Sequence, residues 1–227
     1  LFFRDDDCGW DDDRLSLLLD IFADFDIPVD LAAIPAALNS ALAQKLSRRM
    51  AAHPERLRIH QHGFAHVNHE PTGKKCEFGA ARSYRRQRDD IAEGQRRLSE
   101  LLDVTPDPIF TPPWNRCNSV TARCLAELGF HVLSRDSHAA PLDVPGLCEL
   151  PTTLDWFAHR KKVRLDRMEW GRTLAAQLES DASVGIMLHH AVMDAEEMQA
   201  LAQLLSVLAR HPNTECRTMQ SLAAAYA

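Results

Sequence analysis

Four of the eleven histidines lie within one ten-residue stretch, His60-Gln61-His62-Gly63-Phe64-Ala65-His66-Val67-Asn68-His69. This stretch directly follows Leu57–Ile59, a short apolar run that is typical of a strand. His62 and His66 are spaced so that one helical turn would bring both rings to one face. Neutral imidazole is the commonest protein ligand for zinc-like ions, so the stretch predicts a metal site. The alternative is a polar surface loop, and a metal site also needs an anionic ligand from elsewhere.

Two acidic triplets near the start of the chain are candidates for that ligand. The second, Asp11-Asp12-Asp13, precedes a predicted helix from Asp12 to Phe25, where negative charge at the amino end is stabilising. The first, Asp5-Asp6-Asp7, follows the short predicted strand Leu1–Arg4 and has no such use. Adjacent carboxylates repel one another unless they are solvated or surround a cation. The first triplet is therefore the better candidate.

Three more polar clusters follow predicted strands later in the chain: Thr111-Pro112-Pro113-Trp114-Asn115-Arg116, Asp155-Trp156 and His189-His190. The two prolines fix an extended backbone, which indicates a rigid wall rather than a regular element. Trp114 offers a flat apolar face of the kind that sugar rings pack against, or it fills core.

Strands and helices alternate along the whole chain, which predicts a parallel sheet with helices outside, either open or closed into a barrel. The predicted helices are 12–25, 36–52, 83–102, 118 or 119 to 128, 172–179, 194–210 and a terminal helix from 219, with a last strand at 215–217. Strand carboxyl ends share one face of a barrel. Because five polar clusters would converge there, we favour a (β/α) barrel.

Bulk composition limits the function classes. The 227 residues suit a single domain, 1–227, and a net charge of −6 argues against nucleic-acid binding. No apolar run approaches the roughly 18 residues that span a membrane. The arginine-rich helix 83–102 carries both charge signs, which favours a solvated face. Six cysteines without a C-x-x-C pair indicate a reduced, cytoplasmic protein, with allowance for a segment before Leu1.

The order of these motifs resembles the polysaccharide deacetylase family (NodB homology, carbohydrate esterase family 4) over nearly the whole chain, from Arg4 to His189. The resemblance implies a distorted (β/α) barrel with seven or eight parallel strands. It also implies a divalent metal ion, usually Zn2+, held by one aspartate and two histidines.

Residue by residue, the resemblance implies a general base at Asp6 and metal ligands at Asp7, His62 and His66, with Asp5-Asp6 as the alternative base–ligand pair. It implies a general acid at His189, with His190 as the alternative. The implied substrate-binding residues are Pro113, Trp114, Asn115, Arg116, Asp155 and Trp156. Asp155-Trp156 would also support the late histidine, His189. Trp156 would line the substrate groove together with Trp114.

The chain departs from the family pattern at three places. Thr111 stands where the family has an arginine that orients the base, so that either Arg116 or Arg4 would have to supply the charge. Gly63 replaces a usual Ser or Thr, and Cys8 is either a bystander or an extra soft ligand.

The leading hypothesis is metal-dependent deacetylation of an N-acetylated sugar or glycan. The alternatives are hydrolysis of another C–N bond in a small metabolite, and a catalytically silent metal- or carbohydrate-binding domain. All three imply a carbohydrate or small-molecule partner and neither nucleic acid nor membrane.

Overall fold

The computed structural model describes residues 1–160, 163–180 and 183–226, which contain one eight-stranded parallel sheet in the order β6-β5-β4-β3-β2-β1-β10-β7. Its strands are β1 (Phe2–Cys8), β2 (Val29–Ala33), β3 (Leu57–His62), β4 (Asp107–Thr111), β5 (Val132–Leu133), β6 (Cys148–Glu149), β7 (Leu154–Asp155) and β10 (Gly185–Leu188). A separate antiparallel hairpin joins β8 (His159–Arg160) to β9 (Val163–Arg164). The sheet curls into a distorted barrel, which confirms the predicted fold class.

Helices pack on the outside of this sheet. They are α1 (Asp12–Asp24), α2 (Ser40–Ala52), α3 (Tyr84–Leu102), α4 (Ser119–Glu127), α5 (Arg167–Ser180), α6 (Ala195–Leu208) and α7 (Met219–Tyr226). Five of them are preceded by an N-cap residue whose side chain accepts a backbone N–H of the first turn. These residues are Asp11, Asn39, Ser83, Asn118 and Asp194. Asp11 confirms that the second acidic triplet caps a helix.

Side chains along β1 alternate between the helices and the barrel interior, because the side-chain period of a strand is two. Phe3 packs with the helices in the main hydrophobic core, where its ring lies 5.1 Å from that of Phe22. Arg4 and Asp6 therefore share the opposite, interior face. The first acidic triplet thus lies within a strand, not after one as predicted.

One end of the barrel is closed by apolar side chains. Phe2 from β1, Ile109 from β4 and Val132 from β5 form a cluster with Met219 and Leu222 of α7. The buried Asp30 on β2 accepts the backbone N–H of Met219 at 2.9 Å and so fixes the start of this helix. The polar ends of the strands lie at the other end of the barrel, where the site is expected.

Some predicted elements differ from the structure. His62 ends β3, whereas His66 lies in an irregular loop with φ 57°, so the two rings do not share a helical turn. Residues 215–217 form no strand, although the Arg217 N–H donates to the Leu1 carbonyl and the Leu1 amino group donates to the Glu215 carbonyl. Helix α5 begins at Arg167, five residues earlier than predicted.

The prediction about the charged surface of α3 agrees with the structure. Two arginines of α3 pair with acidic neighbours on the same helix, in Arg85–Asp89 and Arg96–Glu93, which is the solvated mixed face that was expected. The six cysteines are free, and Cys8 is buried in the main core. Among the described residues, no helix is long and apolar enough to cross a membrane.

Candidate active site

Asp7, His62 and His66 come together at the carboxyl ends of β1 and β3. Asp7 Oδ1 lies 3.4 Å from His62 Nε2 and 3.3 Å from His66 Nε2. The register of β1 against β2 is irregular between Asp5 and Cys8, and Asp7 has φ 68°. Such an irregularity turns a strand side chain toward a new direction, here toward the histidines. One ligand atom from each of the three residues lies within 4.8 Å of the others.

The donor set fits a divalent metal ion. His62 Nδ1 donates to the carbonyl of Thr111 at 3.0 Å, which leaves Nε2 free to bind an ion. Asp7 Oδ1 is buried and lacks a hydrogen-bond partner, an arrangement that is costly unless a cation is bound there. One carboxylate with two imidazoles is a usual ligand set for catalytic zinc.

Asp6 is held by a buried bidentate ion pair on its own strand. Arg4 Nε donates to Asp6 Oδ1 at 2.8 Å and Arg4 Nη2 donates to Oδ2 at 2.9 Å. Burial alone would raise the pKa of the Asp6 carboxyl, but the Arg4 charge and hydrogen bonds outweigh it and lower the pKa to about 2. Asp6 is therefore an ionised, buried carboxylate next to the Asp7–His62–His66 cluster at neutral pH.

Arg4, not Arg116, supplies the positive charge that the chain lacks at Thr111. Arg4 is fully buried, and its other donors reach Ser134 Oγ at 2.8 Å and Asn115 Oδ1 at 2.8 Å. Arg116 Nη1 instead donates to the carbonyl of Lys75. Thr111 itself forms a 2.9 Å hydrogen bond with His60 Nε2.

The two consecutive histidines after β10 have different surroundings. His189 is half-buried and follows directly after Leu188, which pairs with Asp5 where β10 lies beside β1, so it lies at the same end of β1 as Asp6 and Asp7. His190 is fully buried, and its Nδ1 and Nε2 donate to Asp5 Oδ2 and to the Trp10 carbonyl, each at 2.6 Å. With both nitrogens engaged, His190 is not accessible to a substrate, and Asp5 is committed to it.

The Asp5–His190 pair predicts a specific loss of stability in base. Burial alone would lower the pKa of His190, but Asp5 and the Trp10 carbonyl raise it to about 9, against about 6.5 for an unfolded histidine. The pair's contribution, roughly 3 kcal/mol, is fully present below pH 6.5 and is lost as the pH rises through 9. Urea unfolding at a series of pH values should show this loss in the wild type and its absence in His190→Asn. Equal pH dependence of the two proteins would contradict it.

Two indole rings flank His66. The ring centroids of Trp10 and Trp114 lie 4.9 Å and 4.5 Å from that of His66. Trp10 is 40% exposed and Trp114 is half-buried, so both offer apolar surface beside the ligand cluster. The hydrogen bond from His190 Nε2 to the Trp10 carbonyl holds the backbone of Trp10 in place.

The prediction that Trp156 lines a groove is wrong. Its ring is only 2% exposed, packs 5.1 Å from the Trp170 ring, and its Nε1 donates to Glu197 Oε2 at 2.6 Å. Asp155 Oδ1 accepts the N–H of Phe157 in a local turn rather than reaching the late histidine. Trp10, three residues after Asp7, takes the second aromatic position instead.

The loop 112–116 supports the site more than it lines a groove. Pro113 is buried and packs so closely on Gly63 that a Cβ there would lie 2.5 Å from its Cδ. Asn115 accepts from Arg4 and donates to the Met187 sulfur at 3.2 Å. Of the six predicted substrate-binding residues, Trp114 is the one whose ring lies beside the ligand cluster.

Comparison of the sequence with family models gives no match, and comparison with curated proteins gives none either. Solved structures do match. A candidate polysaccharide deacetylase from Mycobacterium smegmatis is 17% identical with a TM-score of 0.72, over 93% of this chain and 76% of that one. PuuE allantoinase is 17% identical with a TM-score of 0.68, over 94% of this chain and 72% of that one.

A family 4 acetyl xylan esterase from Clostridium thermocellum, solved in complex with a cobalt ion, is 16% identical with a TM-score of 0.64, over 99% of this chain and 91% of that one. At these identities the comparisons establish the fold. The chain has the fold of polysaccharide deacetylases and family 4 carbohydrate esterases.

Proposed function

We propose that this chain is a metal-dependent hydrolase that removes an acetyl group from an N-acetylated sugar or glycan. The observation that carries the proposal is the convergence of Asp7, His62 and His66 beside the ionised Asp6 carboxylate. The fold shared with a candidate polysaccharide deacetylase and a family 4 acetyl xylan esterase supports it.

In this proposal Asp7 Oδ1, His62 Nε2 and His66 Nε2 hold a divalent ion, of which Zn2+ suits the donor set best. When bound, the ion supplies Lewis acidity at the acyl oxygen and lowers the pKa of water. Asp6, ionised by Arg4, takes the proton from the attacking water. His189 in its protonated form delivers a proton to the leaving nitrogen. Trp10 and Trp114 provide flat apolar surfaces against which a sugar ring packs.

The first test is metal content. We expect about one equivalent of zinc or a similar metal per wild-type chain, and its loss in Asp7→Asn and His62→Asn, because two ligands are too few for a stable site. His69→Asn is the matched control, since His69 belongs to the same histidine-rich stretch but is exposed and outside the cluster. Elemental analysis after supplementation measures this. Absence of metal from the wild type would remove the proposed chemistry.

The second candidate is hydrolysis of another C–N bond in a small metabolite. The shared fold with PuuE allantoinase favours it. The two indoles beside His66 also offer flat faces to a small planar amide. N-acetylglucosamine oligomers and small cyclic amides should be assayed side by side with the metal-loaded protein. Release of acetate supports the first candidate, and ring opening supports the second. Metal binding without either reaction supports a silent binding domain.

A further inference from the structure

Glu77 is a buried carboxylate that sequence reasoning did not identify. It is fully buried, and no Lys or Arg among the described residues forms an ion pair with it. Its Oε1 accepts the backbone N–H of Ala65 at 2.8 Å, and its Oε2 accepts that of Phe64 at 3.2 Å. Burying a carboxylate is costly unless donors surround it, and here both donors come from one short loop.

That loop is the connection between the two histidines. Residues 63–67 turn through two positive φ values, 56° at Gly63 and 57° at His66. A Cβ on Gly63 would lie 2.2 Å from Glu77 Oε2, so the glycine leaves the space that the carboxylate fills. Successive N–H groups that converge on one anion form a backbone nest, which fixes the loop conformation.

Glu77 is itself held in place on both sides. The N–H of Cys76 donates to Asn68 Oδ1 at 2.9 Å. Phe78 packs in a hydrophobic cluster and forms a parallel bridge with Cys117. These contacts of its two neighbours fix the position of the Glu77 carboxylate, and the loop backbone binds to it there.

We propose that Glu77 is a positioning residue: its carboxylate sets the loop between His62 and His66 so that both Nε2 atoms reach the same ion as Asp7. This inference rests on the proposed metal site. Glu77 touches neither ion nor substrate in this role, and it acts through backbone N–H groups. Partners that orient ligands without binding the metal typically contribute 10- to 100-fold to metal affinity.

The test compares Glu77→Gln with Glu70→Gln. Glu70 is the matched control because it lies, like Glu77, between β3 and α3 and its side chain also accepts a backbone N–H. Its donor is Ala81, at 3.0 Å, which lies outside the loop between His62 and His66. Full-length proteins are stripped of metal and titrated with Zn2+ and with Co2+. We expect a Kd about 10- to 100-fold weaker for Glu77→Gln, with a changed Co2+ absorption spectrum, and little change for Glu70→Gln. Thermal unfolding of the metal-free proteins separates affinity from folding.

Each outcome has a distinct meaning. Wild-type metal affinity and an unchanged Co2+ spectrum in Glu77→Gln, whatever its stability, would overturn the positioning role while leaving the proposed function intact. Failure of the wild type to bind Zn2+ or Co2+ would overturn both. If Glu77→Gln does not fold, Glu77→Asp takes its place: the shortened side chain keeps the charge but withdraws it from the loop. Weakened metal binding in Glu77→Asp supports the role, and unchanged binding overturns it.

Discussion

An Arg4→Met variant is expected to move the acid limb of the pH–rate profile upward by about 2 pH units. Burial would raise the pKa of Asp6, and it is about 2 because Arg4, with further contributions from His62 and His189, outweighs burial; removing Arg4 removes the largest of these opposing contributions. The acid limb of kcat/KM reports ionisation of the base in the free enzyme, so activity lost below about pH 4 should return as the pH rises toward neutrality. Breaking the buried pair should also cost about 3–5 kcal/mol of unfolding free energy.

The profile should be measured with N-acetylglucosamine oligomers, or with the substrate that the assays above identify. Arg4→Lys should recover part of the shift, because an ammonium restores the charge but not the bidentate geometry. Arg116→Met is the control, since Arg116 contacts the carbonyl of Lys75 and not Asp6. An acid limb at the wild-type position in Arg4→Met would contradict the assignment of Arg4 as the residue that keeps Asp6 ionised.

The same ion pair predicts acid sensitivity of the fold. Because the folded pKa of Asp6 is lowered, its contribution to stability is present above about pH 4 and is lost as the pH falls toward 2. The stability of Arg4→Met should therefore depend less on pH in this range.

An Asp6→Asn variant is expected to lower kcat by about 10²- to 10⁴-fold without loss of metal. The amide is close in shape to the carboxylate and still accepts a hydrogen bond from Arg4, but it cannot take a proton from water. Metal content should remain at the wild-type value, because the ligands Asp7, His62 and His66 are untouched. Measuring kcat and bound metal on the same samples separates the two roles.

Asp13→Asn provides the control, since Asp13 is an exposed acidic residue in the first turn of α1. Wild-type kcat in Asp6→Asn would show that another group accepts the proton. Loss of metal in that variant would instead assign Asp6 to the ligand set, in line with the alternative register Asp5-Asp6.

The ligand cluster could be predicted from the sequence because residue type and position at strand ends carry that information. Asp7 and His62 lie at the carboxyl ends of parallel strands and must meet on one face, whereas the position of His66 depends on the loop that follows β3. Arg4 could also have been chosen over Arg116 on the same grounds, since side chains two residues apart on a strand share a face.

Other features depend on contacts that no local pattern reveals. Trp156 turns inward because its Nε1 finds Glu197, a partner 41 residues away. His189 and His190 are adjacent and of one type, and only the buried Asp5 decides which of them is withdrawn from the site. Glu77 lies in a segment without periodicity, and its role follows from N–H groups that have no signature in the sequence.

The pairing of Arg4 with Asp6 also bears on how new specificities can be engineered. Both residues belong to β1, so the carboxylate keeps its main partner even when neighbouring connections are exchanged. The 112–118 connection contributes a single hydrogen bond to Arg4, through Asn115. Exchanging Trp114 and Arg116 within this connection, with Pro113, Asn115 and Cys117 retained, is therefore a route to altered recognition that leaves Asp6 in place.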